Sequence, residues 1–275
     1  MKEQKRMRIG ARDFDTEHHT YLMAIVNVTP DSFYEGSRHT DPDDLVRTVL
    51  RMEKEGADLI DLGAESTRPG HISISEQEEM DRLLPALEMI RKNTEIPISA
   101  DTTKAAVARE ALAAGCDLIN TVEGLIDAEL AAYIREAGAA CCLMHNRKEP
   151  VYADFAADFQ EDMKQIYTNA LSLGIPEDQI ILDPGIGFAK STEQNLMILQ
   201  NMKEWMIPGI PWLLGTSRKS VIGNTLGLPA EERLEGTLAT TALAVMAGCS
   251  FVRVHDVKEN KRCILMAEAI RDCGR

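Results

Sequence analysis

Asp183-Pro184-Gly185-Ile186-Gly187-Phe188-Ala189-Lys190 lies between two stretches of different periodicity. Before it, Ile180-Ile181-Leu182 is a continuous apolar run, the pattern of a strand buried on both faces. After it, Ser191-Thr192-Glu193-Gln194 carries a hydroxyl and, three residues on, an amide: a helix start with capping chemistry. Two glycines let the chain turn sharply between them. A carboxylate therefore stands where a buried strand meets its loop, in front of a helix N-terminus. The unit is strand, polar residue, loop, helix.

The same unit recurs along the chain. A first strand at 21–26 ends at Asn27, and Asp41-Pro42 starts a helix with Leu45, Val49 and Met52 on one face. The second strand, 58–62, leads into a long loop over 63–74. Ser75-Glu76-Gln77-Glu78 then opens a helix that turns Met80, Leu83, Leu84, Leu87 and Ile90 inward. Strands follow at 97–101 and 117–120, then at 139–145, with helices expected over 103–114, 127–137 and 153–173. The sixth strand is the one quoted first. The seventh, 211–216, runs into Ser217-Arg218-Lys219-Ser220, and the eighth spans 250–255 before a last helix over 257–269. Eight strand–helix units with no linker or composition shift predict an α/β protein: a single (β/α)8 TIM barrel over 21–275. Residues 1–20, polar and mixed in charge, form a short N-terminal extension, a hairpin or loop. An open doubly wound sheet is the alternative.

The chain has 275 residues, near the ~250 of one such barrel. A net charge of −14 argues against nucleic acid or an anionic membrane as partner. An anionic small substrate would need a local cationic cluster. The six cysteines include no CxxC pair, which favours reduced thiols over a disulfide or zinc framework. The basic N-terminus lacks the apolar segment of a signal peptide, and no apolar run approaches ~20 residues. A soluble cytoplasmic protein is expected.

In a barrel the strand C-termini share one mouth, where active sites lie. This chain places there Asn27, Thr67, Arg68, Asp101, Asn120, His145, Asp183, Ser217, Arg218, Lys219, Arg253 and His255. Asp101, Asn120 and Asp183 are acceptor-rich and suit a flat heterocycle with several N–H donors on one edge, such as a 2-amino-4-oxopterin. A carboxylate that merely caps a helix is the plainer reading of each. Arg68, Arg218, Lys219, Arg253 and His255 form the cationic set that a diphosphate would need. An isolated arginine is ordinarily a solvated charge; clustering on three loops singles these out. Asn27 can offer an oxygen to Mg²⁺, which keeps waters and takes phosphate oxygens. Phe188 and Pro69 offer flat apolar surface. His145 is expected to be a satisfied mouth histidine.

Five stretches together resemble one family: Asn27-Val28-Thr29-Pro30-Asp31-Ser32-Phe33, Glu65-Ser66-Thr67-Arg68-Pro69-Gly70, Asp183-Pro184-Gly185-Ile186-Gly187-Phe188, Ser217-Arg218-Lys219-Ser220 and Arg253-Val254-His255-Asp256. They look like the dihydropteroate synthases, in the same order and from about Tyr21 to the C-terminus. The resemblance implies a (β/α)8 barrel that joins 4-aminobenzoate to (7,8-dihydropterin-6-yl)methyl diphosphate, with Mg²⁺ assistance, as a homodimer. It implies that Asp101, Asn120, Asp183 and Lys219 hold the pterin, with Met144 as apolar surface. Arg253 and His255, with Asn27 through Mg²⁺, would hold the diphosphate. Thr67, Arg68, Pro69, Phe188, Ser217 and Ser220 would shape the aminobenzoate site.

By the same resemblance, Asp101, Lys219, Arg253 and His255 would be the catalytic groups. Three positions depart from the family pattern: Ala64 for a glycine, Thr121 for an acidic residue, and Tyr34-Glu35 for Ser-Asp. Thr121 is expected to weaken the acceptor set beside the pterin. Two alternatives stay open here, a corrinoid-linked pterin methyltransferase and a catalytically weakened pterin-binding homologue. The helix expected over 234–248, rich in Ala, Thr and Gly, packs closely against a partner subunit or against the barrel.

Overall fold

A computed structural model describes residues 6–28, 42–65 and 73–274. The chain opens with an antiparallel hairpin, β1 (Arg6–Ile9) and β2 (Arg12–Asp15), followed by the first barrel strand, β3 (Tyr21–Asn27). Helix α1 (Pro42–Glu55) buries Leu45, Val49 and Met52, the face read from their spacing. Then come β4 (Leu59–Gly63), α2 (Glu76–Arg91), β5 (Ile98–Asp101), α3 (Ala105–Ala113), β6 (Leu118–Thr121), α4 (Ala128–Ala137) and β7 (Ala140–Met144). The second half runs α5 (Phe155–Ser172), β8 (Ile180–Asp183), α6 (Thr192–Trp205), β9 (Leu213–Leu214), α7 (Ser220–Leu226), α8 (Leu234–Ala247), β10 (Phe251–Val254) and α9 (Val257–Arg271).

Helix starts follow their capping chemistry. The Ser75 hydroxyl accepts the Glu78 N–H at the start of α2. At α6, Ser191 and Gln194 satisfy each other's backbone in a full capping box. Eight parallel strands pair in the order β8-β7-β6-β5-β4-β3-β10-β9, and a parallel bridge between Leu182 and Trp212 joins the two ends into a barrel. The open doubly wound sheet is thereby excluded.

Alternation along the strands builds two cores. Residues such as Leu22, Ile60, Ile119, Leu182 and Val252 face outward and pack with the helices in one large cluster. Met23, Leu59, Leu118, Cys142, Ile181, Leu213 and Phe251 face inward and form a second. Met7, Ile9 and Phe14 of the hairpin join this inner cluster. Several of its members are the first residues of their strands, so the hairpin closes the N-terminal end of the barrel. Burying those three side chains contributes about 1.5–3 kcal/mol each before entropy is counted.

Two elements differ from the sequence reading. The seventh barrel strand is only Leu213–Leu214, with Trp212 bridging to Leu182 just before it; Pro211, which has no N–H to donate, precedes them. Helix α7 was not anticipated: its seven residues are too few to show a period.

Candidate active site

The inward row that lines the barrel floor continues upward at every second residue. Two positions above Leu59 is Asp61, above Ser99 is Asp101, and above Leu118 is Asn120. Asp183, Met144 and Arg253 follow Ile181, Cys142 and Phe251 in the same way. Strand register makes neighbours of them: Asn27 with Gly63, Gly63 with Asp101, Asp101 with Asn120, and Met144 with Asp183. Asp61, Asp101, Asn120 and Asp183 are all buried.

Arg253 enters this cluster from β10. Its Nε donates to Asp61 Oδ2 at 2.5 Å and its Nη2 to Asp101 Oδ2 at 2.8 Å. Asn120 Nδ2 donates to the same Asp61 oxygen at 3.1 Å. Lys219 comes in from the loop after the neighbouring strand β9, its Nζ donating to the Ile186 carbonyl at 2.7 Å and lying 4.9 Å from the centre of the Phe188 ring. A Cβ added at Gly215 would be 3.6 Å from both Lys219 Nζ and Asp183 Oδ2, which places the two groups on either side of that glycine. Asp183 Oδ1 accepts the Gly185 N–H at 2.7 Å.

Three carboxylates thus face two cations in a site largely withdrawn from water. Burial pushes Asp101 up to about 7; Arg253 pulls against that shift and Asp61 adds to it. Asp183 is also raised by burial, with Lys219 opposing. Burial draws Lys219 down to about 8, against the attraction of Asp183. Asp101 Oδ1 and Asp61 Oδ1 are buried without a hydrogen-bond partner among the described residues. Such a cluster, with unmet acceptors and opposed pKa shifts at a barrel mouth, has the character of a binding site for a polar ring.

The rim is organised by paired residues. Ser217 Oγ lies 2.9 Å from His255 Nδ1 and accepts the His255 N–H at 3.2 Å. Arg218 is bound to Asp256 through Nε at 3.1 Å and Nη2 at 2.5 Å. Its charge is thus paired with a carboxylate 38 positions on. Arg218 has φ +57, in the left-handed region, and is held there by its N–H to Thr237 Oγ1 and by Arg233 on its carbonyl.

The Asp183–Lys190 loop is fastened from beneath. Lys190 Nζ donates to the carbonyls of His145 (3.2 Å), Gly185 (2.9 Å) and Phe188 (3.0 Å). A Cβ at Gly185 would fall 2.0 Å from the His145 carbonyl oxygen, so only glycine allows this approach. Asp162 holds His145 at 3.0 Å, and burial draws the imidazole down to about 4, a neutral histidine used for structure.

Asn27 is exposed at the end of β3, and Ser220 is exposed at the start of α7. Thr67, Arg68 and Pro69 lie outside the described residues. Thr121 alternates with Asn120 and so does not share its inward face; its hydroxyl accepts the Glu123 N–H at 3.2 Å. The concern that Thr121 thins the acceptor set is not supported by its direction. Asp61 and Lys190 were missed by the sequence reading. The signal for Asp61 was period-two alternation through Leu59, Asp61 and Gly63, which puts a carboxylate inside a barrel.

The sequence matches the family of pterin binding enzymes over residues 23–255. The dihydropteroate synthase of Clostridium beijerinckii is 46% identical over 266 residues, covering 96% of this chain and 99% of that protein. The fold resembles the crystal structure of a dihydropteroate synthase from Clostridium difficile determined with pteroic acid. The TM-score is 0.89 at 44% identity, covering 94% of this chain and 98% of that one. It also resembles the Xanthomonas albilineans dihydropteroate synthase with 4-aminobenzoic acid, with TM-score 0.91, 35% identity and 98% and 99% coverage.

Proposed function

We infer the division of labour at this mouth from one premise: the chain belongs to the pterin-binding enzyme family. Its reaction is that of a dihydropteroate synthase, a transferase of folate biosynthesis. It joins 4-aminobenzoate to (7,8-dihydropterin-6-yl)methyl diphosphate, giving 7,8-dihydropteroate and diphosphate. The observation that carries the reading is the buried set Asp61, Asp101, Asn120 and Asp183 gathered around Arg253 and Lys219.

Asp101, Asn120 and Asp183 accept the ring N–H groups of the pterin, Lys219 donates to its acceptor edge, and Met144 supplies apolar surface. Arg253 and His255 hold the diphosphate. Phe188, Ser217, Ser220 and the Thr67–Arg68–Pro69 stretch border the aminobenzoate. The exocyclic C–O bond breaks, its electron pair leaving with diphosphate, and the amine nitrogen bonds to the carbon and yields its proton to water. Arg253 and His255 stabilise the departing anion, while Asp101 favours the pterin that is left cationic. No protein nucleophile is needed.

The donor set also suits Mg²⁺. A Cβ at Gly63 would lie 3.4 Å from Asn27 Oδ1 and 3.8 Å from Asp101 Oδ2, so two hard oxygens border one glycine-lined gap. No cluster of three or more metal-ligating His, Cys, Asp or Glu occurs among the described residues, so water and diphosphate oxygens would complete the shell around Asn27. The ion would supply charge neutralisation to the leaving group.

Residues 21–275 are the pterin-binding barrel and 1–20 an N-terminal extension, whose described hairpin closes the barrel floor. A homodimer through α8 and α9 is supported by Leu243, Met246, Leu265, Met266 and Ile270, all exposed on those helices. Sedimentation equilibrium should give twice the chain mass; a monomer at micromolar concentration would refute it. We assign the chain to the cytoplasm, since its cysteines are free thiols; no described helix is long and apolar enough to cross a membrane.

Diphosphate release in the presence of both substrates and Mg²⁺ tests the reading; no release, with the pterin diphosphate nonetheless bound, would leave only a binding protein. The same assay should show a narrow bell for kcat/KM. Below about 7, Asp101 takes up a proton and no longer balances the cation; above about 8, Lys219 loses the proton it donates. A flat profile from pH 6 to 9 would contradict these assignments.

A further inference from the structure

Asp61 is 0% exposed, sits in the middle of β4 and belongs to none of the groups assigned above to substrate. One of its oxygens serves two donors from different walls of the barrel, Arg253 Nε at 2.5 Å and Asn120 Nδ2 at 3.1 Å. An ionised carboxylate only accepts, so Asn120 must turn its NH₂ toward Asp61. Its carbonyl oxygen is then the end left for a ligand, which is what an acceptor of ring N–H groups requires. On the other wall, Nε is the fixed point of the Arg253 guanidinium. Nη2 reaches Asp101, and Nη1 has no partner among the described residues.

We propose that Asp61 is a positioning residue for the reaction, setting the amide direction of Asn120 and the guanidinium plane of Arg253 from inside the barrel. The proposal rests on the reading of the mouth given above. It joins the two half-sites physically: the pterin acceptors and the diphosphate clamp lean on one buried oxygen. No ligand touches Asp61, and its influence passes through the two residues it holds.

Asp61→Asn is the mildest test. A carboxamide oxygen can still accept from both donors, but it carries no charge for the guanidinium, and its NH₂ lets Asn120 turn its own oxygen inward, so neither residue is held to one orientation. Calorimetric titration of the variant with the pterin alcohol, and separately with diphosphate plus Mg²⁺, should show both affinities reduced by roughly tenfold to a hundredfold. In a double-mutant cycle, Asp61→Asn added to Asn120→Ala should weaken the pterin alcohol no further, since the oriented amide is already gone. It should still weaken diphosphate, through Arg253. Rescue is expected in neither case from saturating aminobenzoate.

Normal affinities in Asp61→Asn, or a loss that simply multiplies with that of Asn120→Ala, would overturn the proposal while leaving the reading of the mouth intact. If Asn120→Ala itself bound the pterin alcohol like the unaltered protein, the reading of the pterin half would fall, and this proposal with it. Should Asp61→Asn fail to fold, Asp61→Ser, which leaves space for a water on both donors, takes its place in the same cycle.

Discussion

Lys219→Ala is expected to lower turnover by roughly 10³-fold while the barrel stays folded. Lys219 precedes α7 from a loop, and its ammonium touches the Ile186 carbonyl and the Phe188 ring rather than core side chains. Its removal leaves Asp183 without its facing cation. Asp183 still accepts the Gly185 N–H, and burial already favours its protonated form, so it takes up a proton instead of unfolding the site. What is lost is a half-buried donor to the pterin and a balancing charge. Circular dichroism should give a folded protein with an ordinary melting transition, and diphosphate release should be near background. Turnover within tenfold of the unaltered protein, or an unfolded variant at 25 °C, would each refute the role.

Arg253→Ala should instead cost stability, because Arg253 neutralises two buried carboxylates at once. Removing one partner of a buried ion pair typically costs about 3–5 kcal/mol. Here the loss should depend on pH. Burial already raises Asp101 in the folded chain and Arg253 opposes that rise, so without Arg253 the Asp101 carboxyl titrates higher still, and the variant is relieved at low pH and strained as pH rises. The gap in unfolding free energy between the two proteins should therefore widen from pH 6 to pH 8 in urea titrations. Arg253→Lys keeps a charge but cannot fork between Asp61 and Asp101. It should recover most of the stability and little of the turnover. A stability gap that narrows as pH rises would contradict this account.

The barrel was legible in the sequence because its signal is repeated and local. Each strand end carries its polar residue just before a loop, so Asp101, Asn120, Asp183 and Arg253 could be assigned to one mouth without coordinates. What the strand ends do not reveal lies one step inward or far along the chain. Asp61 stands inside its strand, and reading only terminal residues passes over it. The pairing of Arg218 with Asp256, and of Ser217 with His255, joins residues 38 apart, and nothing in either local pattern anticipates it. A hairpin or loop is expected there, but that Met7, Ile9 and Phe14 close the barrel floor depends on what lies across from them. Lys190 reads as a solvated loop lysine, yet three carbonyls converge on it, a fact of loop geometry and not of sequence.

The central claim is that separate groups read the pterin and hold the diphosphate, and Asp183→Asn tests it most directly. Gly185 N–H needs an acceptor, so the new amide must give its oxygen to the loop and turn its NH₂ into the mouth. Donor then faces donor, toward both the pterin edge and Lys219. Titrated side by side with the unaltered protein, the variant should bind the pterin alcohol more weakly by roughly one to two orders of magnitude, yet bind diphosphate with Mg²⁺ unchanged. Equal losses for both ligands, or an unchanged affinity for the pterin alcohol, would contradict it.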